Sequence, residues 1–195
     1  MKTFLQSSYG KPGKVLQVVK METPKPKENE IQISIKTTTI NDYDWSMITG
    51  RPLLYRLMYG LFKPKSKTPG MELAGIVSQV GARVSEFKVG DKVYGDISDH
   101  GFGSFAEDIC LPPQAVKKMP PTMDFVQAAA LPHAALLAFQ AFDKGGLEAG
   151  HKVLINGAGG GVGTFGLQLA KLKNCEVTGV DADEKLGSML NLGFD

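Results

Sequence analysis

The sequence predicts an α/β chain made of two unlike parts: a β-rich part over residues 1–123, then strands and helices in alternation over residues 124–195. Three observations predict it. Short β-type runs are punctuated by glycine and proline up to Pro121, helix-forming residues take over from Asp124, and five of the seven residues 157–163 are glycine, set between an apolar run and a helical one.

Taken in order, Val15, Val18 and Val19 lie in a strand that ends before Pro24 and Pro26. In EIQISIKTTTI (30–40), Ile31, Ile33 and Ile35 alternate with Gln32, Ser34 and Lys36, the period of a half-buried strand. Leu73 to Val80 is β-rich and stops at Gly81. Lys92 to Tyr94 follows the turn Val89-Gly90-Asp91, and Ser104 to Leu111 is closed by Pro112 and Pro113. Such strands suggest a barrel or sandwich. From Asp124 to Lys144 the residues favour helix, with Asp124 as N-cap, a break at Pro132 and Gly145-Gly146 as the stop. Val153, Leu154 and Ile155 in succession suit a parallel strand buried on both faces, over Lys152 to Asn156. A helix from Val162 to Lys173, a strand from Glu176 to Val180 and a helix over 183–192 complete the pattern.

Composition narrows the function. A net charge of +2 is no footprint for a polyanion, and no aromatic residues interleave with Lys63, Lys65 and Lys67, so nucleic acid is not an expected partner. The charge is lopsided, net +7 over residues 1–70 and −5 over the rest. Cys110 and Cys175 are too few for a disulfide framework and read as free thiols in a reducing cytoplasm. The longest apolar run, Phe125 to Phe142, is interrupted by Gln127, Pro132, His133 and Gln140, so no integral membrane segment is expected.

The clearest chemistry lies in VLINGAGGGVGTFGLQLAK. Ala158, Gly160 and Gly163 hold the first, third and sixth positions of a dinucleotide-binding loop, with alanine in the place of the first glycine. Gly160 lets backbone approach a pyrophosphate, Gly163 lets the helix pack on the strand, and the helix start, Gly161-Val162-Gly163, offers N–H groups. Asp181 closes the next strand where a ribose-binding acid is expected, and no basic residue follows before Lys185. The cofactor is therefore NAD(H) or NADP(H), with the lean to NAD(H).

Together with PGMELAGIVSQVG, VGDKVYG, GSFAEDICLP and AAALPHAALLAFQAF, this loop resembles the medium-chain dehydrogenase/reductase superfamily in its zinc-less quinone-oxidoreductase-like branch. The resemblance implies a GroES-like barrel followed by a Rossmann domain, with the active site between them. It also implies hydride transfer between a nicotinamide cofactor and a quinone, enone or other carbonyl. Zinc-dependent relatives have cysteine where Asn41 stands and histidine where Met71 stands. With His133 at the third position, the set is a poor zinc site, and no metal is expected.

By the same resemblance, Asn41 lines the cleft near the nicotinamide, or else simply forms the NDYDW turn. Asp44 holds that turn. Tyr43 can donate a phenolic proton if it faces the cleft, and His133 is either a proton donor or a histidine at a helix bend. Leu137 replaces a hydroxyl residue that would touch the nicotinamide. In RPLLYRLMYGLFKPKSK (51–67), Leu54, Leu57 and Met58 make one helical face, read as packed surface helix, substrate-facing flap or membrane-contacting patch.

A doubly wound sheet classically has six strands, whereas only two follow Lys152. The expectation is a fragment of an oxidoreductase, or a chain completed by a partner or further segment, with homo-oligomerisation open. The alternatives are a nucleotide-binding protein without turnover and an inactive remnant.

Overall fold

In the computed structural model, which describes residues 1–195, the chain divides into two compact units, Met1–Ala130 and Leu131–Asp195. In the first, β1 (Lys2–Gln6) and β2 (Leu16–Lys20) form an antiparallel hairpin around the single turn α1 (Pro12–Val15). β3 (Ile31–Thr38), β4 (Glu72–Val80), β5 (Lys92–Asp96), β6 (Asp108–Leu111) and β7 (Lys117–Lys118) form an antiparallel sheet in the order β6-β3-β4-β5-β7. Helices α2 (Asp42–Thr49) and α3 (Leu54–Tyr59) fill the connection from β3 to β4.

The core of this unit is built by the strands the sequence marks. Ile31, Ile33, Leu73, Val77 and Val93 are solvent-free and cluster with Ile97 and Leu111. The alternation fails at Gln32, which is buried like its neighbours. Its Nε2 donates to the Pro24 carbonyl (2.5 Å) and its Oε1 accepts from Ser78 Oγ (2.7 Å), so the polar side chain is buried with its partners. Pairing of β3 with β4 shifts register between Gln32 and Ile33 and again between Ile35 and Thr37; such irregularities bend a strand. The strand expected from Ser104 starts only at Asp108. The residues before it reach the hairpin instead, through the bridge between Thr3 and Ala106.

Helix α4 (Phe125–Ala130) starts as expected: Asp124 Oδ1 accepts from the Gln127 N–H (2.8 Å) and Gln127 Oε1 from the Asp124 N–H (3.2 Å). Ala128 and Ala129 then pack on Ala74 and Met119. This packing joins α4 to the first unit, so the division falls after Ala130 rather than after residue 123. Composition marks where helix begins, not which core the helix joins.

The second unit runs α5 (Pro132–Gly145), β8 (Lys152–Asn156), α6 (Gly161–Lys171), β9 (Glu176–Val180) and α7 (Asp183–Leu192). β8 and β9 are parallel, in register from Lys152 opposite Glu176 to Asn156 opposite Val180. Leu167 and Ala170 of α6, Met189 of α7 and Phe194 enclose Val177, with Val153, Ile155 and Phe142 packed against them. The expectation that β8 is buried on both faces is not met. Leu154 is 69% exposed and Val180 47%, because helices cover only the side bearing Val153, Ile155 and Val177. No helix is long and apolar enough to cross a membrane.

Ile33→Ala, in the solvent-free core, should lower stability in urea unfolding by about 2–5 kcal/mol, whereas Phe62→Ala, at a side chain 88% exposed, should stay within about 0.5 kcal/mol.

Candidate functional site

The glycine loop leaves β8 at Gly157, whose φ of +77° is a left-handed conformation that favours glycine. The turn glycine is therefore Gly157, not the residue at the first motif position. Ala158 there is fully buried, and its N–H donates to the Val180 carbonyl (3.2 Å), which also accepts from the Gly157 N–H (2.8 Å). Ala158 thus packs beneath the loop and pins it to β9. Gly163 meets its expectation, since a Cβ there would stand 2.5 Å from both Cα and the carbonyl oxygen of Ala158. The missing side chain lets α6 press its first turn onto the loop.

Gly160 is the N-cap of α6, in extended backbone, and no side chain caps the helix. The N–H groups of Gly161, Val162 and Gly163 have no acceptor within the helix and lie at its positive dipole end. This geometry fits a pyrophosphate: bare backbone and unpartnered donors directed at one spot.

Asp181 is 11% exposed and heavily engaged. Its Oδ2 accepts from the Gly159 N–H (2.8 Å), its Oδ1 accepts from the Ala182 N–H (2.8 Å), and Lys185 Nζ lies 3.1 Å from Oδ1. The Ala182 N–H first, then Lys185 and the Gly159 N–H, hold its carboxyl below the usual carboxylate range. Lys185 is four residues on, one helical turn, which brings its ammonium back beside the loop. Its alkyl chain lies over Gly159, where a Cβ would meet it at 2.8 Å. Lys185 is the first basic residue after Asp181 in the sequence, and the turn of α7 brings it back to that carboxylate.

His133 is the second residue of α5, partly buried, with Pro132 at the first position. The starts of α5 and α6 adjoin, since a Cβ on Gly161 would lie 3.3 Å from Ala134 Cβ. The structure thus carries His133 and the glycine loop in one unit, one residue from a shared helix contact.

In the first unit, Asn41 caps α2. Its Oδ1 accepts from the N–H groups of Tyr43 (3.0 Å) and Asp44 (3.1 Å), and its own N–H donates to Asp44 Oδ2 (3.2 Å), completing a capping box. Asp44 therefore holds the turn as expected. Asn41 Nδ2 donates to Glu72 Oε2 (3.3 Å), which also accepts from Thr39 Oγ1 (2.6 Å). Glu72 is only 4% exposed, and its backbone carbonyl accepts from Thr38 Oγ1, whose hydroxyl pairs with Ser104 Oγ (2.8 Å). Sequence reasoning gave Glu72, Thr39 and Ser104 no role. The available signal was an acid inside the apolar run MELAGIV, since carboxylates are seldom buried without partners.

The Tyr43 hydroxyl hydrogen-bonds with that of Tyr59, and its ring stacks on Phe102 (centroids 6.1 Å) beside Tyr55. Burial first, then the bond to Tyr59, pushes its pKa well above the usual phenol value. The Tyr43 hydroxyl is thereby tied into this aromatic cluster. Phe102 has a φ of +65°, uncommon for a bulky residue, at the centre of this aromatic cluster. The packed-helix reading of Leu54, Leu57 and Met58 is corrected: all three face solvent, and Tyr55 and Tyr59 turn inward. Cys110, with its thiol pushed up to about 11 by burial, is no nucleophile at neutral pH.

Residues 27–121 match the alcohol dehydrogenase GroES-like domain. The chain is 36% identical over 197 residues to a chloroplastic quinone-oxidoreductase homolog of Spinacia oleracea, a match covering 97% of this chain and 58% of the relative. It is 32% identical to a 2-methylene-furan-3-one reductase of Solanum lycopersicum, over 100% of this chain and 51% of the relative. Escherichia coli quinone oxidoreductase, solved in complex with NADPH, superposes with a TM-score of 0.87 at 30% identity, over 100% of this chain and 57% of that one. The chain is similar in sequence and fold to the medium-chain dehydrogenase/reductase superfamily, in its quinone-oxidoreductase-like branch. By that likeness its first unit is the GroES-like part and its second a two-stranded part of a Rossmann-like sheet. It spans just over half the length of these relatives.

Because Asp181 is held below the carboxylate range, its ties persist above the unfolded-state pKa of about 3.9 and weaken as pH falls through the lower folded value. The Gly159 and Ala182 amide resonances should titrate together with a midpoint below about pH 3.9, and this shared titration should vanish in Asp181→Asn. A midpoint at or above that value would contradict the assignment.

Proposed function

We propose that the chain is the GroES-like part and the start of the cofactor domain of an NADP(H)-dependent oxidoreductase that reduces quinones, enones or related carbonyls. The observation that carries the reading is the uncapped first turn of α6, with three unpartnered N–H groups over a glycine loop that admits no side chain at Gly163. A nicotinamide dinucleotide bound there supplies the hydride. Gly161, Val162 and Gly163 donate to its pyrophosphate, and Gly160 keeps the approach clear.

The sequence leans to NAD(H), on the strength of Asp181. Two backbone N–H groups and Lys185 already occupy that carboxylate, which leaves less of it for a ribose diol. Lys185 brings a cation within reach of a 2′-phosphate, and NADPH is the ligand named with the E. coli structure. NADP(H) is therefore the cofactor we propose.

In the first unit, Asn41 offers an amide from a rigid cap. His133 offers an imidazole at the start of α5. Tyr43 holds the aromatic cluster in place. The chemistry proposed uses no zinc, because Asn41 and Met71 bring neither thiolate nor imidazole. The free thiols of Cys110 and Cys175 support a reducing compartment, such as the cytoplasm or the chloroplast named for the spinach relative.

NADPH should bind more tightly than NADH in fluorescence titration. Lys185→Ala should weaken NADPH about tenfold and change NADH less than about twofold. Tighter binding of NADH by the unaltered chain would reverse the cofactor assignment. Loss of reduced-nicotinamide absorbance on adding a quinone or enone tests the reaction, and binding without oxidation by any acceptor would favour a nucleotide-binding protein without turnover.

A further inference from the structure

The segment from Arg51 to Lys67 presents its apolar residues outward. Leu53, Leu54, Leu57, Met58, Leu61 and Phe62 are all more than half exposed, Phe62 at 88%. This is not a loose helix turned the wrong way. Its inner side is taken by other groups: the Tyr59 hydroxyl bonds to that of Tyr43, and the Arg56 guanidinium stacks 4.6 Å from the Tyr9 ring centroid. The Tyr9 hydroxyl donates to the Gly60 carbonyl (2.7 Å), and Pro64 is buried. The protein holds six large apolar side chains against solvent on a tethered scaffold.

Charge says what surface they fit. From Trp45 to Met71 there is no Asp or Glu, while Arg51, Arg56, Lys63, Lys65 and Lys67 fall inside that stretch. Arg51, Lys63, Lys65 and Lys67 are exposed at the two ends of the apolar run. Apolar side chains flanked by cations, with no acid among them, match an acyl layer under anionic headgroups. A second copy of the same patch would bring like charges together, which disfavours self-pairing.

We infer that this face, Leu53 to Phe62 with its flanking Arg51, Lys63 and Lys67, is a docking surface for an anionic lipid bilayer. The chain lies on the membrane through it and does not cross. Two weak contributions act together, shallow insertion of apolar side chains and attraction of lysines near the surface, as reversible peripheral binding requires.

Co-flotation of the 195-residue chain with vesicles tests this. Binding is expected to mixed phosphatidylcholine and phosphatidylglycerol vesicles, not to phosphatidylcholine alone, and is expected to fall as salt is raised. Phe62→Ser should lower the partition coefficient more than about tenfold, and Lys63→Gln and Lys67→Gln about fivefold each. These side chains are exposed, and unchanged circular dichroism checks that the variants fold. Absence of binding to anionic vesicles, or equal binding by the variants, would overturn the inference. So would a dimer in sedimentation velocity that Phe62→Ser dissolves while the unaltered chain ignores vesicles, because the patch would then belong to a second copy.

Discussion

The second unit depends on one close approach, that of Gly163 to the backbone of Ala158. At 2.5 Å from a Cβ to both Cα and the carbonyl oxygen, no other residue fits without moving the loop or the helix. That contact aims the first turn of α6 at the end of β8 and leaves its N–H groups open. Val180 pins the loop from one side through its carbonyl, and Asp181 pins it from the other by accepting from Gly159. The open geometry of that turn is thus a consequence of packing. A site so built is formed before any ligand arrives, and preorganised donors lose little on binding.

The first unit shows the same economy in a different chemistry. Asn41 begins α2 as its cap, while its side-chain amide reaches Glu72 on β4. Thr39, just past β3, donates to the same carboxylate, and Ser104, in the segment before β6, pairs with Thr38, whose hydroxyl donates to the Glu72 backbone carbonyl, so residues distant in sequence meet around one buried glutamate. Leaving any of these donors unpaired in a buried setting would be costly, which is why a polar cluster can fix a geometry that apolar packing alone would leave adjustable.

Much of this was legible in the sequence because it rests on local rules. Apolar strand, glycine loop and helix start follow from spacing, Asp124 announces its cap, and Asp44 marks the NDYDW turn, which the structure extends into α2. What was not legible depends on tertiary placement. Ala158 looks like a degenerate glycine only until Gly157 is seen to take the positive φ. Lys185 looks remote only until α7 turns it back onto Asp181. The residues 54–58 read as a packed face because periodicity shows that a face exists and not which way it points; the tyrosines that fill the inner side were not weighed against the leucines. Gln32 likewise obeys the strand period and yet is buried, since Pro24 and Ser78 satisfy its amide.

The central claim is that the first turn of α6 is a preformed cradle for a dinucleotide pyrophosphate. Amide chemical shifts during titration with ADP-ribose test it most directly. The account predicts that the largest changes fall on Gly160 to Gly163 and that Gly163→Val abolishes them while the first unit's resonances stay in place. Saturable binding with its largest shifts elsewhere, or binding that survives Gly163→Val unchanged, would contradict it.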